Sequence, residues 1–129
     1  MTNPRERAQG RGYRDLDAWQ KGIKLVVSCY IVARCLPPDE RYELGKQLRR
    51  ACISVPANIA EGAGRRHKAD YARFLAMARG SLAEVETYLE IVHQLGFAPV
   101  ERIEPANALA TDVGKMLTGL LRRHGRPMP

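Results

Sequence analysis

The chain has 129 residues, 27% of them charged, and a net charge of +7. That length suits one domain able to bury a core without metal or disulfide support, and the positive balance makes an anionic partner a candidate without naming one. A membrane span is excluded at this level, because the longest apolar run, Leu25 to Leu36, has 12 residues and contains Arg34, whereas a span needs about 20. Aromatics are few while Leu, Ala, Val, Glu and Arg dominate, which favours helix over strand. The N-terminus has no apolar run of the kind a signal peptide carries. Cys29, Cys35 and Cys52 lie on apolar helical stretches with no C-x-x-C spacing, so buried reduced thiols and a cytoplasmic location are expected.

Residues 1–12 are polar, with Arg5, Arg7, Arg11, Gly10 and Gly12, and read as a flexible basic arm ahead of a bundle domain at 13–124. A first helix is expected from Asp15 to Cys35, opened by carboxylates at the positive end of the helix dipole. Its expected core stripe is Leu16, Trp19, Ile23, Val26, Tyr30 and Ala33. Pro37 and Pro38 end it, because a residue before proline avoids the helical region.

A second helix is expected from Asp39–Glu40 to about Gly62. Its apolar residues Leu48, Cys52, Val55 and Ile59 recur at steps of four, three and four, a single helical stripe. Pro56 lies inside it, removes a backbone donor and crowds the preceding turn, so a kink is expected. Gly62 and Gly64 are expected to stop the helix in left-handed conformations. Arg65, Arg66, His67 and Lys68 follow at once.

The third helix is expected from Lys68 to Leu95, with Leu75, Ala78, Leu82, Val85, Leu89 and Val92 as a heptad-like seam. Gly80–Ser81 interrupts its propensity without breaking the pattern and suggests close approach of another helix backbone. Gly96 ends it. Pro99 can open the fourth helix, whose stripe is Ile103, Ala106, Ala110, Val113, Leu117 and Leu120, running to about His124. Pro105 is expected to produce a kink or a ragged start, and residues 125–129 form a tail. Four long helices with short connections imply an all-α, antiparallel up-down-up-down four-helix bundle.

That topology brings three segments to one end. Residues 1–14, 61–79 and 115–129 carry net charges of +3, +3 and +4, leaving the remainder of the chain at −3. The opposite end receives Asp39, Glu40, Glu43, Glu90, Glu101 and Glu104. The basic end is either a solvated surface or a phosphate-binding face. Its candidate nucleic-acid contacts are Arg65, Arg66, Lys68, Arg73, Arg79, Arg122 and Arg123.

Catalytic patterns do not emerge. Gly62 and Gly64 precede no Lys-Ser/Thr pair, so they form no P-loop. Glu90 with His93 supplies one Glu-x-x-His pair where a di-iron bundle needs two. No serine has a nucleophile-elbow context. No metal, cofactor or catalytic activity is expected.

From Gln47 to Gly62 the chain resembles the family of four-helix-bundle proteins encoded in intervening sequences of bacterial 23S ribosomal RNA genes. That family also includes the accessory variability protein of diversity-generating retroelements. The residues carrying the resemblance are Gln47, Leu48, Arg49, Arg50, Ala51, Ser54, Pro56, Asn58, Ile59, Ala60, Glu61 and Gly62. Leu16 with Trp19, Phe74–Leu75, Ala78 with Gly80–Ser81–Leu82, and Met116–Leu117 extend it. The chain departs from the pattern at Ala57, at His67–Lys68 and at Pro105. The resemblance implies a ring-like homopentamer with a basic surface and no catalytic residues, and the retroelement members of the family look like partners of RNA and of a reverse transcriptase. Arg49, Arg50, Ser54, Pro56, Asn58, Glu61, Gly62, Gly80 and Ser81 are expected to be structural. Asn58 and Glu61 would bond neighbouring helices or cap the kink, and one of Arg49 and Arg50 would reach a carboxylate of the bundle or of a neighbouring subunit while the other faces solvent.

Two functions follow as expectations. One is a noncatalytic protein binding structured RNA or an RNA–DNA hybrid through the basic end. The other is an interaction scaffold or adaptor, for example for a reverse transcriptase. Under either, the apolar run Leu25 to Leu36 and a second row at Phe74, Met77, Tyr88, Ile91 and Leu95 would leave exposed patches, so a homo-oligomer using the outer faces of the first and third helices is expected.

Overall fold

The computed structural model describes residues 12–124. A 3-10 turn at Gly12–Asp15 leads into α1 (Asp17–Arg34), followed by the short α2 (Pro38–Tyr42), then α3 (Leu44–Ala63), α4 (Lys68–Leu95) and α5 (Val100–His124). The four long helices form a bundle in which α3 packs on α1 and α4, and α5 packs on α4 and α1. Helices joined by short connections are therefore neighbours, and α1 faces α4 only across a diagonal. The expected arm lies, apart from Gly12, outside the described residues, as does the tail.

The core is built from rows that repeat every three or four residues. On α3, Leu48, Cys52, Val55 and Ile59 are fully enclosed. The six seam residues of α4 and the six of α5 are all buried. On α1 the expected stripe is displaced, although its last member, Ala33, is buried. The enclosed row is Leu25, Cys29, Val32 and Leu36, continued by Ala18, while Trp19, Val26 and Tyr30 are half-buried and Ile23 is 39% exposed. The cause is the apolar run itself: where nearly every position is apolar, periodicity does not choose between adjacent rows.

The helix containing Pro56 runs on without a break. The expected second helix is interrupted at Glu43, whose φ of −95° and ψ of −83° separate α2 from α3. The Pro56 ring is buried against α1, where a Cβ added to Gly22 would stand 3.2 Å from the Pro56 Cβ. Pro105 likewise lies inside a continuous α5. Pro99 sits just ahead of that helix, its carbonyl accepting from the Arg102 and Ile103 amides at 2.9 and 3.2 Å.

The glycines also differ from expectation. Gly64 has φ −84° and ψ −2°, and Gly62 is an ordinary helical residue. The left-handed stop is Gly96, at φ 69°, whose amide donates to the His93 carbonyl. Gly62 is needed for contact: a Cβ there would lie 2.7 Å from the Phe74 Cβ and 3.1 Å from the Tyr71 Cδ1. Gly80 is the reverse case, since a Cβ there meets nothing within 4 Å, and it is the neighbouring Ser81 that touches α3, donating from Oγ to Ser54 Oγ at 2.9 Å.

These environments set opposite outcomes for one substitution. Gly62→Ala forces α3 and α4 apart and should cost about 1–3 kcal/mol, the usual penalty of overpacking. Gly119→Ala, in open space on α5, should stabilise by up to about 1 kcal/mol through helix propensity. Urea unfolding at a fixed protein concentration compares the two. Equal effects would remove the contact role assigned to Gly62.

Candidate nucleic-acid interface

The α3–α4 turn, the last turn of α5 and the start of α1 meet at one end of the bundle. The Tyr71 and His124 rings lie 5.1 Å apart, linking α4 to α5. Asp15, Asp17, Lys115 and Arg123 share a 460 Å³ cavity between the start of α1 and α5. Arg14 stands 5.4 Å from the Trp19 ring centre and 5.8 Å from that of Tyr13.

Phe74 organises the turn. Gly62 makes room for it, and its ring is flanked by the guanidinium carbons of Arg65 at 4.9 Å and Arg73 at 4.6 Å. Such contacts contribute about 0.5–1 kcal/mol each at exposed sites. Arg65 also pairs with Glu61 one turn earlier, and Arg73 lies 4.0 Å from the Asp70 carboxylate. Two of the candidate cations are therefore positioned and partly neutralised within the chain. Arg66 and Lys68 are exposed and make no ion pair among the described residues.

The other candidates form a second group. Arg79 of α4 and Arg122 of α5 line a 610 Å³ groove between these helices, together with Lys115. Gly114, Gly119 and Ala110 leave its floor low. Arg122 and Arg123 belong to the last turn of α5, where cations also favour the negative helix end. Lys115 is not among the residues singled out from the sequence, although its seven-residue spacing from Arg122 places both on one helical face. Arg123 lies toward Tyr71 and the α1 cavity. The end is thus two adjoining groups of cations, one around Phe74 and one along the α4–α5 groove.

The structural residues hold the helices together, with partners other than those expected. Asn58 Nδ2 donates to the Ser54 carbonyl at 2.8 Å and to Ser54 Oγ at 3.0 Å, within its own helix. The bond between helices is Ser81 to Ser54. Glu61 holds Arg65. Within the chain Arg49 donates to the Arg41 carbonyl at 3.2 Å, and Arg50 is exposed. Cys29 and Cys52 are enclosed and Cys35 is half-buried. All three are free thiols; a hydrogen bond with the Cys52 side chain, reinforced by burial, raises the Cys29 thiol above its ordinary range.

A family model described as 23S rRNA-intervening sequence protein matches residues 14–119. A solved structure of a protein of unknown function from the S23 ribosomal protein family of Bacteroides thetaiotaomicron is similar. The two share 24% sequence identity with a TM-score of 0.75, over 81% of this chain and 98% of that one. At that identity the likeness concerns the fold. No curated protein matches the chain. Among the described residues, no helix is long and apolar enough to cross a membrane.

Tyr71 gives this end a pH signature. Burial raises its hydroxyl above the ordinary value of 10.0, with Arg123 pulling the other way. A raised folded value means that Tyr71 supports the fold fully below about pH 10 and that this support is lost as pH rises through the folded value. Wild type should therefore lose stability more steeply above about pH 10 than Tyr71→Phe, and the two should run parallel below it. Chemical denaturation from pH 8 to 11 measures the difference, and parallel curves throughout would remove the assigned shift.

Proposed function

The chain belongs to the family of 23S rRNA-intervening sequence proteins, and from that premise we propose that it is a noncatalytic, homo-oligomeric RNA-associated protein whose basic end holds phosphates of structured RNA or an RNA–DNA hybrid. The observation that carries this reading is the meeting of Arg66, Lys68, Arg122 and Arg123 around the Phe74-held pair at one end of the bundle. The described carboxylates there, Glu61, Asp70, Asp15 and Asp17, are too few to balance these cations. Arg and Lys contacts to phosphate supply most sequence-independent affinity and release counterions on binding.

Oligomerisation rests on the apolar side chains that the core leaves outside. Ile23 and Val27 of α1 are 39% and 58% exposed, and Ile53 of α3 is 45% exposed. On α4, Met77, Ile91 and Leu95 are 46%, 38% and 58% exposed. The α1 and α4 patches lie on opposite corners of the bundle. Two different patches suit a head-to-tail contact, which closes into a ring when its rotation permits. Gly80, with open space beside it, lies on α4 close to Met77 and lowers the surface there. The homopentamer is the ring that the family resemblance favours.

Two measurements test the parts separately. Fluorescence anisotropy with rRNA fragments, RNA–DNA hybrids and duplex DNA should show affinity falling steeply as salt rises. In Arg65→Ala/Arg66→Ala/Lys68→Ala the salt slope should become shallower by about one for each phosphate no longer held, with the fold intact. No binding to any of these nucleic acids at low salt would overturn the reading. Light scattering at micromolar concentration should give a mass several times the 14.4 kDa of the chain. A monodisperse monomer would refute the oligomer, and a dimer or tetramer would reject the pentamer alone.

A further inference from the structure

The end of the bundle opposite the basic corner is not uniformly acidic. Where α1 ends and α3 begins, a 290 Å³ pocket is lined by Tyr30, Ala33, Arg34, Arg41 and Arg49. Two of these arginines are fixed by neutral acceptors. Arg41 donates from Nε to the Leu36 carbonyl at 3.1 Å and from Nη2 to the Arg34 carbonyl at 3.4 Å. Arg49 donates from Nη2 to the Arg41 carbonyl at 3.2 Å. Gly45 is small enough for Arg49 to lie along the helix, since a Cβ there would stand 3.1 Å from Nη1.

None of the ion pairs Lys21–Asp112, Arg65–Glu61 and Arg73–Asp70 involves these arginines. Asp39, Glu40 and Glu43 are close in sequence yet pair with none of the three. The helix ends do not supply the missing charge either. The α1 C-terminus carries about half a negative charge and the α3 N-terminus about half a positive one, so their effects at this junction largely cancel. Three arginines line this one small pocket, and their like charges repel one another unless an anion joins them. A guanidinium presents a planar fork of donors that matches the oxygens of phosphate. The volume lies just below the range of about 300–1,000 Å³ that ligand sites span. It admits one phosphate group with at most one nucleoside, and Tyr30 and Ala33 provide the apolar wall that a base would need.

We propose that this pocket is an oxyanion site for a single phosphate group, free or carried on a nucleotide, held by Arg34, Arg41 and Arg49. It lies at the far end of the bundle from the basic corner assigned to RNA and stands or falls independently of it. The probe pair is inorganic phosphate and adenosine 5′-monophosphate, titrated calorimetrically into the full chain with ionic strength held constant by chloride. The informative variant is Arg34→Gln, because Arg41 and Arg49 also satisfy backbone carbonyls, whereas the Arg34 side chain has no partner among the described residues. Circular dichroism checks that it folds.

Wild type should bind one phosphate group per chain. Arg34→Gln should weaken that binding by about tenfold or more, as expected when one charge-assisted hydrogen bond is removed. Arg65→Ala/Arg66→Ala/Lys68→Ala should leave it unchanged. Tighter binding of the nucleotide, with the excess abolished in Tyr30→Leu, supports a nucleotide as the source; equal binding supports free phosphate. Failure of both probes to bind beyond chloride overturns the site. So does unchanged binding in Arg34→Gln, or loss of binding in the triple corner variant.

Discussion

The close approach of α3 to both of its neighbours is the constraint on which the rest of the structure depends. On one side, Pro56 packs on Gly22 of α1. On the other, Gly62 admits Tyr71 and Phe74 of α4, and Ser54 meets the Ser81 hydroxyl. These contacts leave little room between the helices, so each depends on a residue whose side chain is absent or short. Pro56 removes one backbone donor from its helix, but its ring is fully engaged in the α1 interface. Packing on that face compensates for the missing bond and lets the helix continue. Asn58 donates to both the carbonyl and the hydroxyl oxygen of Ser54, which fixes the hydroxyl that Ser81 addresses from across the groove.

The same closeness shapes the basic end. Because Gly62 lets Phe74 lie beneath the turn, the ring is available to the guanidiniums of Arg65 and Arg73 on either side. Glu61 and Asp70 then tether those arginines within one helical turn. Exposed ion pairs of this kind contribute at most about 1 kcal/mol, so their main effect is to set side-chain direction. Charge at this end is therefore graded. The arginines on Phe74 are held in place, while Arg66 and Lys68 extend from the same turn with no ion pair among the described residues.

Much of this was legible in the sequence, for identifiable reasons. The α4 seam could be read because its residues keep steps of three and four throughout while Glu84, Glu86 and Glu90 mark the opposite side, even though a second row at Met77, Ile91 and Leu95 stays exposed. The α1 row could not, because Leu25 to Leu36 is apolar on almost every face and only tertiary contacts choose the buried one. Gly62 and Gly64 look like a helix stop when considered locally; the need for Gly62 comes from Phe74 and Tyr71, on a different helix. Pro56 was visible as an anomaly, but its compensation at Gly22 lies more than thirty residues away. At the candidate interface, topology and charge counting gathered the cations at one end. They could not reveal that Phe74 holds two of them, or that Lys115 joins Arg79 and Arg122 along a groove. The grouping at the opposite end was not legible for a related reason: Arg34, Arg41 and Arg49 sit on three different helices among acidic neighbours, and only the fold brings them to one pocket.

The arrangement of patches links the proposed assembly to the proposed binding. The exposed apolar residues of α1 and α4 lie mainly on the sides of the bundle, whereas the cations around Phe74 lie at its end. Association through the sides would bury the apolar rows and leave the ends in solvent. In a ring whose axis runs along the bundles, every basic corner would point the same way. One corner offers only a few cations without an internal partner, too few for tight binding at physiological salt. Several corners on one face would engage a single RNA together, and each contact after the first would form at high effective concentration. The modest charge of one chain is then sufficient, because affinity would come from the number of corners presented together.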